Sequence, residues 1–308
     1  MPLSSAFNLK PVLEMGESDY QRWREEKLRR YIPDLENCLV PIQNPLKLRP
    51  AEKKQLQGII SSNNFVVYQY PSRPDCDSNG YREICCQLGL NRSISNPGAD
   101  ADNVTKIQDH TGSGAGANHR SRYIPYSNLA LNWHTDGYYN NQNQMVRAFV
   151  LHCMESAPTG GVNKLMDHEI AYILLRDQNP DWAEALSDPK CLTIPENIVK
   201  QKVIRDQFIG PVFSTDPATG ELYARYTERK HNVVWKDTPT VEKAVSALAE
   251  ILRTESGWTA TITLQRGQGL ICNNVLHNRS AFEDNDSHES KRCLHRIRFA
   301  ERVQLLDE

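Results

Sequence analysis

Apolar and polar positions along this chain change period several times, and each change marks an element. Over the first sixty residues the spacing is helical. "SDYQRWREEKLRRYI" starts at Ser18-Asp19 and repeats aromatic and aliphatic positions on one face, while "RPAEKKQLQGIISSNN" carries Pro50 in a first-turn position and ends in polar turn residues. "FVVYQYP" (65–71) predicts a strand and "GYREICCQLGL" a short helix. Residues 92–122 lose all period; "QDHTGSGAGANHRSR" is rich in Gly, Asn and Ser, and a loop of that length predicts an active-site lid.

Strand patterns then dominate, over 123–136 and 144–154. "DHEIAYILLRDQNPDWAEAL" predicts helix, capped by Asp167 and broken at Pro180. "GPVFSTDPATGELYARYT" predicts a hairpin turning at "DPATGE", and "PTVEKAVSALAEILRTE" an amphipathic helix. "TATITL", "LICNNVLHNRSAF" and "RCLHRIRFAERV" return to strands. The pattern predicts a mainly β protein with flanking helices, its antiparallel core decorated at the start and in the middle, in a single domain over 1–308.

Composition narrows the function classes. A chain of 308 residues, 39% hydrophobic, can bury a substantial core. A formal net charge of -2 gives no electrostatic footprint for nucleic acid or for a membrane surface. No apolar run approaches the length of a membrane-spanning helix. "MPLSSAFNLKPVLEMGE" has neither the basic nor the apolar region of a signal peptide, so a cytoplasmic protein is expected. The eight cysteines show no C-x-x-C pair and are expected to be free thiols.

Candidate chemistry begins in "LALNWHTD". Strand alternation sends Leu129, Leu131, Trp133 and Thr135 one way and Ala130, Asn132, His134 and Asp136 the other. One ion could bridge His134 and Asp136, and Gly137 lets the chain turn sharply afterwards. Trp133, on the opposite face, is expected in the core, as are His152 and His295 inside apolar strands. His277 ends the apolar "LICNNVLH" and is the candidate third ligand. Two histidines and a carboxylate on strand ends form the facial triad of non-heme Fe(II) sites. The residues alone leave open the alternative of ordinary core and rim histidines.

Five collinear blocks carry a resemblance: "IPYSNLALNWHTDG", "LHCMESAPTGGVNKLMD", "DPATGELYARY", "NNVLHNRSAFED" and "RCLHRIRFAER", together spanning about 123–303. On these the chain resembles the taurine dioxygenase and γ-butyrobetaine hydroxylase family of Fe(II)/2-oxoglutarate-dependent oxygenases. The resemblance implies a double-stranded β-helix (jelly roll) core over 123–303; the helical extension read from periodicity over 1–62 lies outside the matching blocks. It implies iron ligands at His134, Asp136 and His277. It also implies a 2-oxoglutarate clamp at Arg292 assisted by Asn163, whose alternative is a turn residue after two glycines.

The implied activity is oxidation, chiefly hydroxylation, of a C–H bond in a small metabolite, using O2 and converting 2-oxoglutarate to succinate. Alternation from Arg292 puts Arg296 and Arg298 on the same face. By resemblance Arg296 would hold a carboxylate or sulfonate of the substrate; its alternative is an internal salt bridge, and Arg298 is expected to be solvated or paired. The expected substrate is therefore anionic or zwitterionic. The chain departs from the family at Asn273, where an aspartate is common, and at Asn278, where a glycine is common. Two rival readings remain: a zinc hydrolase on the same three ligands, and a non-catalytic ligand-binding jelly roll. Expected partners are a small-molecule substrate, no nucleic acid and no membrane, with homo-oligomerisation left open.

Overall fold

A computed structural model describes residues 11–32, 34–71, 79–96, 99–110, 124–199, 201–229, 233–284 and 291–303. Its helices are α1 (Glu17–Arg30), α2 (Pro50–Asn63), α3 (Gly80–Gln87), α4 (His168–Gln178), α5 (Pro180–Ser187) and α6 (Pro239–Arg253). Local chemistry sets their ends. α2 begins at Pro50, where a missing N–H costs nothing, and stops at Asn64 in the left-handed region (φ 59°). Asn179 closes α4 and opens α5: Pro180 cannot continue a helix, and the Asn179 side chain accepts the Asp181 N–H at 2.9 Å. Asp167 caps α4 and Thr238 caps α6 in the same manner.

The strands that position the site are β1 (Leu39–Pro41), β2 (Phe65–Gln69), β3 (Ser93–Ile94), β4 (Thr105–Ile107), β5 (Leu131–His134), β6 (Ala148–Glu155), β7 (Asn163–Met166), β8 (Ala260–Ile262), β9 (Gln268–Cys272), β10 (Leu276–Arg279) and β11 (Cys293–Phe299). The larger sheet runs β1-β2-β9-β6-β11-β3, with β4 also paired to β11. Its pairs are antiparallel except β1 with β2. The smaller sheet runs β8-β7-β10-β5, antiparallel throughout. The fold is thus a mainly β jelly-roll core with flanking helices.

Alternation decides which side chains meet between the sheets. Phe149 and Leu151 of β6 face His134 and His277 of the smaller sheet across a common cavity. The next residue, His152, points outward, where it stacks on Tyr70 and Tyr81 under α3. Its nitrogens meet the Tyr68 and Tyr70 hydroxyls at 3.2 and 3.1 Å, and His295 meets Tyr81 at 3.0 Å, so both are satisfied core histidines. On the other side, Trp133 and Leu276 point out of the smaller sheet into a cluster with Tyr172, Leu186 and Leu248 of the three later helices. Each sheet therefore has helices on its outer face and the site on its inner face.

Several expectations need correction. Residues 92–122 are not one loop: β3 and β4 lie within them as edge strands of the larger sheet, too short for alternation to show in sequence. The stretch 111–122 of the expected lid, like residues 1–10 of the expected helical extension, falls outside the described residues. The extension also contains a strand, β1, whose Val40 is fully buried. The strand expected over 123–136 shrinks to β5, because Pro125 lacks a ladder N–H and sits in a short 3-10 turn, Ile124–Tyr126. The hairpin at "DPATGE" forms as expected from Phe213–Thr215 and Leu222–Ala224. All described cysteines are free.

Candidate metal centre and its cavities

His134 is the last residue of β5 and pairs in register with His277 of β10. Their imidazole centroids lie 4.2 Å apart. Asp136 sits two residues beyond the strand, and ligand atoms of His134, Asp136 and His277 all fall within 4.8 Å of one another. All three side chains are buried. His134 Nδ1 lies 2.9 Å from the Asn132 carbonyl, and His277 Nδ1 lies 2.9 Å from the Val275 carbonyl. A proton on each Nδ1 satisfies these contacts and leaves both Nε2 lone pairs free for an ion.

The loop carrying Asp136 is held by residues far along the chain. Asn274 accepts the Asp136 N–H at 2.7 Å and donates to its carbonyl at 3.0 Å and to that of Val146 at 2.7 Å. To do so it adopts a left-handed backbone (φ 49°). Gly137 (φ +65°) then turns the chain; a Cβ there would lie 2.6 Å from Val146. Buried Arg225 donates to the carbonyls of Gly137, Tyr138 and Asn140 and so braces the turn.

Two arginines of β11 meet the Asp136 carboxylate. Arg298 grips it with Nε and Nη2, each at 2.9 Å, and Arg296 adds Nη1 at 3.1 Å. Burial pushes the carboxyl up, but the two guanidinium groups outweigh it and hold Asp136 well below the usual carboxylate range. Burial, reinforced by the adjacent His277, lowers His134 to about 3, and burial lowers His277 as well. The donor set is thus two neutral imidazoles and one ionised carboxylate, which fits a divalent cation. Arg296, expected to hold a substrate anion, is instead engaged with Asp136; the internal salt bridge is the alternative that forms. Arg298 is paired rather than solvated.

Beside the triad lies a cavity lined by His134, His277, Asn163, Arg279, Arg292 and Leu294, among others. Arg292 is 3% exposed, and its Nη1 has no hydrogen-bond partner. Its guanidinium lies over the Phe282 ring at 4.7 Å, and no carboxylate pairs with it among the described residues. Burial accordingly lowers its pKa. Gly161 makes room for it, since a Cβ there would stand 3.0 Å from Arg292 Nε. Asn163 opens β7 and faces the same cavity, so it is a strand residue rather than a turn residue. Arg279 is a second buried guanidinium, lowered to about 10 by burial and by Arg292. It donates to the Ser127 carbonyl at 2.9 Å, with Nε unpartnered. A buried cation without an anion is costly, and this end of the cavity fits a carboxylate.

A larger cavity of about 210 Å³ opens on the other side of His134 and Asp136. Its lining includes Tyr138, Tyr139, Arg205, Arg229, Arg296 and Arg298. Sequence reading assigned no role to Arg205, Arg229, Arg279 or Asn274. Only Arg298 had a legible signal, its shared strand face with Arg292 and Arg296.

A two-sheet β core whose inner face sets two histidines and an aspartate beside a buried arginine with no carboxylate partner among the described residues is the architecture of a non-heme metal oxygenase. The chain belongs to the taurine catabolism dioxygenase TauD, TfdA family, whose model matches residues 37–298. Its family is one of dioxygenases, and the two-histidine, one-aspartate set fits the metal of such an enzyme, which weighs against the hydrolase and non-catalytic readings. The chain is 29% identical over 174 residues to a uridine-5'-phosphate dioxygenase from an Amycolatopsis species, a match covering 55% of this chain and 60% of that relative. It resembles in fold an asparagine oxygenase solved with Fe(II), 3-hydroxyasparagine and succinate (TM-score 0.52, 13% identity, 92% of each chain). A taurine dioxygenase from Burkholderia xenovorans is similar too (TM-score 0.53, 16% identity, 83% of this chain and 84% of that one). Among the described residues, no helix is long and apolar enough to cross a membrane.

Proposed function

We propose that His134, Asp136 and His277 hold the Fe(II) ion and that Arg292, assisted by Asn163, receives the far carboxylate of 2-oxoglutarate. We further propose that the enzyme hydroxylates a C–H bond of a small anionic or zwitterionic metabolite. One observation carries this reading: a buried arginine that pairs with no carboxylate among the described residues shares a cavity with the two Nε2 atoms. When bound, the iron supplies the coupling of 2-oxoglutarate decarboxylation and O2 reduction to oxidation of the substrate.

The chain's own groups bind and orient. The Asn132 and Val275 carbonyls fix the imidazole tautomers. Arg296 and Arg298 keep Asp136 ionised and aimed. The planar fork of Arg292 favours an oxoacid with a second carboxylate over one without. Phe149, Leu151 and Leu294 wall the cosubstrate cavity with apolar surface that excludes water. The substrate is drawn to the larger cavity by its arginines, and the uridine phosphate named for the Amycolatopsis relative is an anion of this kind.

The test is reconstitution with Fe(II) and 2-oxoglutarate without oxygen, followed by a screen of amino acids, sulfonates and phosphate esters for succinate release. A weak visible charge-transfer band of the chelated oxoacid is expected. Protein that forms no such band and consumes no 2-oxoglutarate would overturn the assignment.

A further inference from the structure

The larger cavity carries a charge imbalance that the proposed chemistry does not use. Among its described lining residues are four arginines, 205, 229, 296 and 298, and a single carboxylate, Asp136. That carboxylate is already shared by Arg298 and Arg296 at the inner end. Arg205 and Arg229 are therefore left without a counter-ion; neither forms an ion pair among the described residues. Arg205 is half-buried, and burial lowers its pKa.

The Arg205 guanidinium is held in place by backbone carbonyls. Arg205 ends the strand Lys202–Arg205, which pairs with Asn197–Val199 in a hairpin that also supplies Asn197 and Ile204 to the cavity. It donates to the Pro195 carbonyl at 2.7 Å and the Asp206 carbonyl at 3.2 Å, contacts that orient the guanidinium without neutralising it. It lies 5.6 Å from the Tyr139 ring centroid, and the Tyr139 hydroxyl accepts from Arg298 at 3.1 Å. One contact chain thus runs from Asp136 through Arg298 and Tyr139 to Arg205. Arg229 follows Thr227, whose hydroxyl accepts the Arg229 N–H at 3.3 Å, just past the bridge that pairs Thr227 with His134. The rest of the described lining carries no charged side chain besides Asp136 and the arginines, and mixes polar Asn96 and Asn132 with apolar Leu131, Ile194 and Ile204.

We propose that Arg205 and Arg229 form an anion pole for the substrate, and that the substrate is a phosphate monoester. This deepens the proposed function and rests on the larger cavity being the substrate site. Two guanidinium groups with free donors match a dianion bearing three terminal oxygens better than a single carboxylate, because each fork can take a separate pair of oxygens. The ester's organic part then extends along the uncharged lining toward the triad. A cavity of about 210 Å³ holds a metabolite of moderate size. Arg296, spent on Asp136, is not needed for the anion.

Calorimetric titration of the 308-residue chain at fixed ionic strength tests this, using inorganic phosphate, uridine 5'-monophosphate and uridine as probes. It is run on metal-free protein and again with Fe(II) and 2-oxoglutarate without oxygen, so that the Arg292 end is filled. Uridine 5'-monophosphate should bind roughly tenfold or more tightly than uridine, with inorganic phosphate competing. Arg205→Gln and Arg229→Gln should each remove most of that difference, and Arg229→Lys should restore part of it. Arg229 makes no side-chain hydrogen bond among the described residues, so its variants keep the test valid if Arg205→Gln is unstable. The charge-transfer band should be unchanged in every variant. Equal binding of nucleotide and nucleoside, or parental phosphate affinity in both Gln variants, overturns the proposal. Loss of the band with arginine-dependent phosphate binding intact would instead overturn the cosubstrate assignment and leave the anion pole standing.

Discussion

Arg298 grips both oxygens of Asp136, Nε on Oδ2 and Nη2 on Oδ1, each at 2.9 Å, across 162 positions of sequence. The pair is buried on both sides, so neither partner can turn to water when the other is removed. Arg298→Leu should therefore destabilise the protein by about 3–5 kcal/mol in denaturant unfolding. It should also weaken Fe(II) binding by roughly 10–100-fold, because the ligand loses its orienting contact. Arg298→Lys keeps the charge but not the fork, and should fall between. Parental stability and Fe(II) affinity in the Leu variant would remove this contact from the account of the site.

The proposed ligands make a sharper prediction. His134→Ala, Asp136→Ala and His277→Ala should each abolish the charge-transfer band and succinate formation. Far-UV circular dichroism should change little in the two histidine variants, whose side chains face a cavity. A variant retaining full turnover would show that its residue is not a ligand.

Arg292 and Gly161 test the cosubstrate end together. Arg292→Ala should raise the 2-oxoglutarate requirement by the equivalent of roughly 2–5 kcal/mol, the cost of truncating one partner of a buried charge-assisted contact. Oxoacids lacking the far carboxylate should lose less in the variant than in the parent. Gly161→Ala should raise KM for 2-oxoglutarate in the same direction, since its Cβ would stand 3.0 Å from Arg292 Nε and its backbone has φ +67°. Equal losses for both classes of oxoacid would dissociate Arg292 from the clamp.

Acid stability has a source outside the site. Burial, with His295 nearby, lowers His152 from 6.5 to about 3. The unfolded chain therefore takes up a proton that the folded protein refuses between those values. Stability from this group is complete above pH 6.5 and falls as pH drops toward 3, by about 1.4 kcal/mol per pH unit. His152→Gln keeps a hydrogen-bonding side chain between Tyr68 and Tyr70 but cannot titrate. Its unfolding free energy should depend on pH less steeply by about one proton over that window. An unchanged slope would mean His152 is not among the groups responsible.

The sequence alone determined what depends on local period and local caps. Asp167 and Thr238 mark helix starts by accepting nearby N–H groups, Pro50 and Pro180 by lacking one, and each end falls where those residues put it. Alternation put His134 on the face opposite Trp133 and grouped Arg292, Arg296 and Arg298, because a strand's two faces follow from backbone geometry. Tertiary structure decided what those faces meet. Whether Arg296 reaches a ligand or Asp136 depends on how β11 lies against a loop 160 residues earlier, which no local pattern encodes. Asn274 became the brace of Asp136 through a left-handed backbone that neighbouring strands impose. The edge strands β3 and β4 exist because β11 offers free donors and acceptors, not because their own few residues prefer to be extended. No local pattern in the sequence marks out Arg205 or Arg229. Only the folded chain brings them to one cavity, since long-range contacts are set by packing the whole core rather than by the residues on either side.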